Sequence, residues 1–204
     1  MCTPQLPAIA APPAPMWTGS SEIWRTKQLE YAWTLTLAGH YADFWTLTER
    51  ALDFAFARVP SVDRGLRPKL LEAYRTLDAF PDARAALAAL KAQSLRLAIL
   101  SNGTPSMLSA AVQTAGLAEY LDAVVSVDTV RRCKPRPEVY ALVTDDFALD
   151  RSNVGFVPST RCDLMGAASF GFQTYWVNRL AVTDEYADFA PLRRIDNLAA
   201  LSAA

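Results

Sequence analysis

Leu95-Arg96-Leu97-Ala98-Ile99-Leu100, running into Ser101-Asn102-Gly103, is the stretch on which the fold turns. The first six residues are a short, almost wholly apolar run, and a Ser-Asn-Gly turn follows at once. That combination reads as a buried strand ending in a loop. The same unit repeats downstream. Residues 105–115 read as a helix closed by Gly116, 123–127 as a strand, and 137–147 as a helix. A strand over 154–157, a helix over 163–170 stopped by Gly171 and a final strand over 174–177 complete the series. Upstream, Pro81 suits a first helical turn, and Ala83, Ala86, Leu87 and Leu90 make one apolar face. Strand–helix repeats of this length predict an α/β fold with a parallel sheet covered by helices. Ligands of such sheets lie beyond the carboxyl ends of the strands. That rule singles out Ser101, Asn102, Asp128 and the 158–163 loop.

Residues 21–78 carry no strand signal. Ser20 or Ser21 can cap a helix with Glu22 in its first turn, and Trp24, Gln28, Tyr31 and Leu35 recur at helical spacing. Leu29, Trp33 and Leu37 form a neighbouring stripe, and further helices are predicted over 43–57 and 68–77. The expected organisation is therefore a Pro/Ala-rich, poorly ordered segment (1–20), a helical cap subdomain (21–78) and an α/β core (79–204).

Composition narrows the function. The chain has 204 residues, 51% of them hydrophobic, enough for one sizeable core and a small second lobe. A net charge of −1 with a pI near 5.8 offers no basic face for nucleic acid or an anionic membrane. No apolar run reaches the roughly 20 residues of a membrane span. The first 15 residues hold five prolines and no basic side chain, a poor signal peptide. Three cysteines without CxxC spacing point to a reduced, cytoplasmic setting, with no zinc site. Cys133 and Cys162 read as small packing residues, and His40, the one histidine, as a helix-end or loop residue.

Four segments carry chemistry in this order: Trp24-Arg25 through Tyr31 with Tyr41-Ala42-Asp43-Phe44-Trp45, then Ile99 to Gly103, then Lys134-Pro135-Arg136-Pro137-Glu138-Val139-Tyr140, then Phe156 to Asp163. Together they resemble the L-2-haloacid dehalogenases of the haloacid dehalogenase superfamily, over roughly residues 21–200. The resemblance implies a Rossmann-like parallel sheet with a helical cap. It also implies hydrolysis of short 2-halocarboxylic acids to 2-hydroxycarboxylic acids, with no metal or organic cofactor and often as a homodimer. In that family an Asp at the end of the first strand displaces halide from C2, and water then hydrolyses the ester. Such a carboxylate must stay ionised, which a neighbouring lysine favours, and the anionic substrate and halide need cationic and amide donors.

The resemblance assigns Lys134 as the partner of the nucleophile, Asp163 as the group that positions Lys134 and water, and Ser101 as a hydrogen-bond donor to the nucleophile. It assigns Arg25, Asn102, Phe44, Tyr140, Ser159 and Thr160 to the substrate. Bland roles stand beside these: Arg25 as a solvated helix residue, Asp163 as a helix cap, and Phe44 and Tyr140 as plain core.

Three departures are expected to matter. No Asp precedes Asp43, so the Asp-x-Tyr-Gly-Thr head of the family is not found ahead of Arg25. Pro158, Thr160 and Cys162 replace the family's Ser, Asn and aromatic in the acidic loop. No substitute nucleophile lies nearby. The family's first strand is central, between the strand ending at Leu100 and the strand at 154–157. Leaving those two edges unpaired costs on the order of 1–3 kcal/mol per group. Residues 6–11 make a poor replacement because proline cannot donate to a ladder. The sequence thus predicts an impaired or inactive dehalogenase, through a truncated or frameshifted start or through decay. The alternatives are a non-catalytic carboxylate-binding pseudoenzyme or another hydrolase of the superfamily.

Overall fold

The computed structural model describes residues 14–201. Residues 1–13 of the Pro/Ala-rich segment lie outside the described residues. Helix α1 (Ala14–Leu37) starts ahead of the expected Ser20 or Ser21 cap. Serine inside a helix costs only about 0.5 kcal/mol relative to alanine, so the Ser pair does not stop it. Trp24, Gln28, Ala32 and Thr36 are buried, a stripe at intervals of four residues that faces α2 (Phe44–Arg58). The Trp24 indole N–H donates to the Thr48 carbonyl at 2.8 Å, and the Gln28 amide donates to the Thr48 hydroxyl at 2.5 Å. Asp43 caps α2 by accepting from the Thr46 amide at 2.9 Å. Helix α3 (Arg67–Ala73) is shorter than the expected 68–77. The Arg75 and Thr76 amides and the Thr76 hydroxyl all turn back on the Glu72 carbonyl, which closes the helix early.

The α/β part runs α4 (Ala83–Ala92), β1 (Ala98–Ser101), α5 (Pro105–Ala115), β2 (Ala123–Ser126), α6 (Pro137–Phe147), β3 (Gly155–Phe156), α7 (Arg161–Phe170), β4 (Gln173–Val177) and β5 (Arg193–Ile195). Strand β1 begins at Ala98 because both backbone groups of Leu97 are already taken: its amide donates to the Asp122 carboxylate and its carbonyl accepts from the Asp122 amide. Gly116 ends α5 at φ +62°, where a Cβ would be strained. Strand β5 was not expected. Arg193–Ile195 becomes a strand only by pairing with Tyr175–Val177 of β4, where Arg194 stacks over Trp176 at 4.8 Å.

All strand pairs are parallel, as the repeating units require. Among the described residues the strands form two sheets, β1–β2 and β3–β4–β5. Tyr140, Phe170 and Phe172 are buried and build an aromatic core between α6, α7 and the sheet, with Phe156 packed against them. Each such burial contributes roughly 1.5–3 kcal/mol. A second cluster, Trp24, Leu52, Phe56 and Leu70, holds the helical lobe together. A third, Ala32, Phe44, Leu47, Met107 and Cys133, ties that lobe to the α/β part. Two polar contacts reinforce the junction: the Cys133 amide donates to the Thr36 hydroxyl at 3.2 Å, and the Tyr41 hydroxyl donates to the Asp128 carboxylate.

Candidate active site

Between the helical lobe and the two sheets lies a cavity of about 680 Å3. Its polar wall is made where β1 and β3 end. Ser101 ends β1 and Asn102 follows it, Ser159 and Thr160 follow β3, Lys134 enters ahead of α6, and Asp163 sits in the first turn of α7. These positions follow from the parallel sheet, whose strand ends open on one side and whose helices then leave.

Lys134 is the hub. Its ammonium donates to the Asp163 carboxylate at 2.8 Å and to the Leu100 carbonyl at 2.9 Å, and lies over the Phe156 ring at 5.0 Å. Its backbone amide donates to the Asn102 side-chain oxygen at 3.1 Å. The second oxygen of Asp163 accepts from the Tyr140 hydroxyl at 2.8 Å. Burial, with the Asp163 charge next in weight, drives the Tyr140 phenol far above its ordinary value, so it stays a proton donor. Ser101 accepts from the Gly103 amide at 3.1 Å, and Ser126 donates to the Gly103 carbonyl at 2.7 Å, which stiffens the turn after β1.

From the lobe, Arg25 on α1 lines the same cavity. One of its terminal nitrogens donates to Gln28 at 2.6 Å, while its Nε is buried with no partner among the described residues. Tyr74 packs behind it. Burial raises that phenol, and the Arg25 charge and the Gln28 contact hold it back. Phe44 and Trp33 supply apolar wall.

A family profile described as haloacid dehalogenase-like hydrolase matches residues 10–171. Two curated relatives extend the match. An (S)-2-haloacid dehalogenase 1 from Pseudomonas sp. (strain CBS-3) is 47% identical over 85% of this chain and 76% of its own. An (S)-2-haloacid dehalogenase 4A from Burkholderia cepacia is 44% identical over 85% of this chain and 75% of its own. The solved L-2-haloacid dehalogenase from Xanthobacter autotrophicus, with chloropropionic acid covalently bound, superposes with a TM-score of 0.82 at 36% identity. It covers 90% of this chain and 84% of that one. The chain belongs to the haloacid dehalogenase-like hydrolases.

In this hydrolase the expected site residues Lys134, Asp163, Ser101, Arg25, Asn102, Phe44, Ser159 and Thr160 all meet at the one cavity. Tyr140 corrects the expectation. It is fully buried and does not line the cavity; its hydroxyl holds Asp163 from behind. Asp163 does not cap α7, because its oxygens are directed to Lys134 and Tyr140 and the N-cap is Thr160. Cys162, read as packing, is partly exposed on the cavity wall, and burial raises its thiol above the ordinary value. Asp128 is held by Tyr41 at the lobe junction rather than on the cavity, and His40 is exposed just after α1.

Arg161 was missed. It is 4% exposed, donates to Asp184 at 2.6 Å and to the Tyr186 and Phe189 carbonyls, and stacks over Trp176 at 5.1 Å. It thereby pins the 184–189 loop beside Thr160. The sequence carried one faint signal: a cation in the first turn of a helix opposes the helix dipole and needs another reason to be there.

Proposed function

We propose that this cavity binds short 2-halocarboxylic and 2-hydroxycarboxylic acids, as an (S)-2-haloacid dehalogenase site, and that turnover by the chain as it stands is impaired. Arg25 and Lys134 give the cavity the cationic donors that a carboxylate and a departing halide need, and Phe44 and Trp33 give apolar surface for the carbon skeleton. The overall reaction is displacement of halide from C2 by a carboxylate, followed by attack of water on the ester, giving 2-hydroxy acid, halide and a proton. One observation carries the second half of the reading. Asp163 is the only carboxylate on the cavity wall among the described residues, and Lys134 and Tyr140 hold its two oxygens. A carboxylate so engaged serves to position Lys134 and is a poor nucleophile.

Loss of a covalent nucleophile costs on the order of 10⁴-fold or more in rate. The test is halide release from L-2-chloropropionate by the purified 204-residue protein, with calorimetric titration of L-lactate alongside. Saturable binding with turnover at least about 10⁴-fold below active relatives is expected. Turnover near theirs overturns the impairment, and absence of binding overturns the substrate class. Cys133 and Cys162, the free cysteines among the described residues, support a reduced, cytoplasmic setting. A homodimer, and a division into a cap subdomain at 21–78 and a core at 79–204, belong to the same reading. Sedimentation and limited proteolysis test them.

A further inference from the structure

Gln28 is 0% exposed, on the stripe of α1 that faces α2. Dehydrating a side-chain amide there is unfavourable unless its polar atoms find partners, and both the nitrogen and the oxygen do. Arg25 can only donate, so the Gln28 atom 2.6 Å from its terminal nitrogen is the amide oxygen. That contact fixes the direction of the amide. Its nitrogen faces the Thr48 hydroxyl at 2.5 Å, which therefore accepts, and the Thr48 proton goes to the Phe44 carbonyl at 2.7 Å. The Tyr74 hydroxyl donates to the same Gln28 oxygen at 3.4 Å. One line of donors thus runs from the guanidinium on α1 to the backbone of α2, and the residues at its two ends, Arg25 and Phe44, both line the cavity. The Trp24 indole donates to the Thr48 carbonyl at 2.8 Å, and the Tyr74 ring sits 5.0 Å from the Trp24 ring. Helix α1 cannot turn against α2 without breaking both bonds to Thr48.

This arrangement has two consequences for an anion in the cavity. A guanidinium free to turn about its side-chain torsions loses that freedom when a carboxylate or halide binds, which weakens binding. Gln28 removes much of the freedom beforehand, because it takes one corner of the planar fork and leaves the rest. The second consequence concerns charge. A carboxylate at the same place would also hold Arg25 but would cancel its charge, whereas an amide oxygen accepts the bond and stays neutral. Across the cavity the Lys134 ammonium is paired with Asp163 at 2.8 Å, so the acceptor that holds it is charged and the one that holds Arg25 is not.

We propose that Gln28 is a positioning residue: a neutral, buried anchor that aims Arg25 into the cavity and leaves its charge whole for a bound carboxylate or halide. The class of ligand rests on the reading of the cavity given above, while the anchor rests on the hydrogen bonds between α1 and α2. Gln28 touches no ligand and acts through Arg25, and its hydrogen bond to Thr48 sets the orientation that it passes on.

The test compares the full-length protein with Gln28→Met, which removes the acceptor, and Gln28→Glu, which keeps an acceptor and adds a charge. Nitrogen-15 relaxation reads the order of the Arg25 Nε–H group, and an NMR titration reads affinity for L-lactate. The parent should show an Arg25 order parameter near the roughly 0.85 of rigid groups, and Gln28→Met one below about 0.6. Gln28→Glu should keep Arg25 ordered. L-lactate affinity should fall about tenfold in both variants, in one because the cation is loose and in the other because it is neutralised. A Gln28 that only fills space would leave order and affinity unchanged in any variant that folds. Equal Arg25 order in the parent and Gln28→Met overturns the anchor, and full L-lactate affinity in Gln28→Glu overturns the part played by its neutrality. If Gln28→Met shows no cooperative thermal transition, Gln28→Glu decides: reduced affinity with Arg25 still ordered supports the proposal, and full affinity refutes it. A parent protein that binds no L-lactate counts against the reading of the cavity, and the Arg25 order in the same samples still decides the anchor.

Discussion

Gly166→Ala tests how tightly the Lys134 hub depends on the packing behind it. Gly166 is buried in α7, and a Cβ built there would lie 2.4 Å from the Tyr140 hydroxyl oxygen and 2.5 Å from Pro135 Cβ. Neither neighbour is the loose end of a flexible chain. Tyr140 is fully buried and Pro135 belongs to the segment that delivers Lys134. Overpacking of this kind costs about 1–3 kcal/mol, and two contacts below 3.0 Å place it at the upper end. The displaced hydroxyl also loses its 2.8 Å bond to the Asp163 carboxylate, worth roughly 1.5–2 kcal/mol for a bond to a charged group. Replacing a helical glycine by alanine returns about 1 kcal/mol. The net expectation is a loss of about 3–4 kcal/mol, read by urea unfolding.

Tyr140→Phe alone removes only the hydroxyl and costs about 1.5–2 kcal/mol. In the double variant that oxygen is no longer in the way and its hydrogen bond cannot be lost twice. The two changes together should therefore cost less than their sum by at least about 1 kcal/mol. Strict additivity, or a neutral Gly166→Ala, would refute the reasoning and mean that α7 shifts freely without disturbing Tyr140.

Three further outcomes follow from the same structure. Arg161→Met strands the Asp184 carboxylate and two loop carbonyls. Asp184 stays a third exposed, so the loss sits near the low end for a buried pair, about 3 kcal/mol, or roughly 6–12 °C in Tm by calorimetry; a shift under about 2 °C rejects the anchoring role. Lys134→Met should weaken L-lactate binding about 30-fold, the equivalent of one charged hydrogen bond of about 2 kcal/mol, and unchanged affinity removes Lys134 from the anion site. Asp82 supplies the pH dependence. Burial alone would raise its carboxyl, but the Leu198 amide and the Arg179 guanidinium together hold it below its ordinary 3.8. Its stabilisation is therefore complete above that value and is lost as pH falls through the depressed folded value. Asp82→Asn should be less stable than the parent at neutral pH and converge with it in acid. A difference that grows toward low pH contradicts the sign.

The α/β part was legible because its signals are local. Apolar runs of strand length, Pro at helix starts and Gly116 and Gly171 at helix ends need no tertiary information, and α5 and α6 fall where the pattern puts them. Helix α1 and strand β5 were misjudged for the opposite reason. Serine is a permissive rather than a decisive cap, and Arg193-Arg194-Ile195 becomes a strand only because β4 offers it a ladder. Among the expected site residues, Lys134, Asp163 and Asn102 belong to the three motifs of the α/β part, and the parallel winding, which brings strand ends together, places all three on one cavity.

The roles behind that first layer were not readable. That Tyr140 grips Asp163 rather than lining the cavity, and that Arg161 ties down a loop more than 20 residues away, depend on which side of a helix meets which neighbour. Sequence alone determined the class of fold, the order of its elements and the chemical character of the site, because spacing and residue type decide those. Only the tertiary structure decided that Arg25 and Lys134 share one cavity and that Asp163 has both oxygens engaged, because those facts are distances between segments that the chain brings together only on folding.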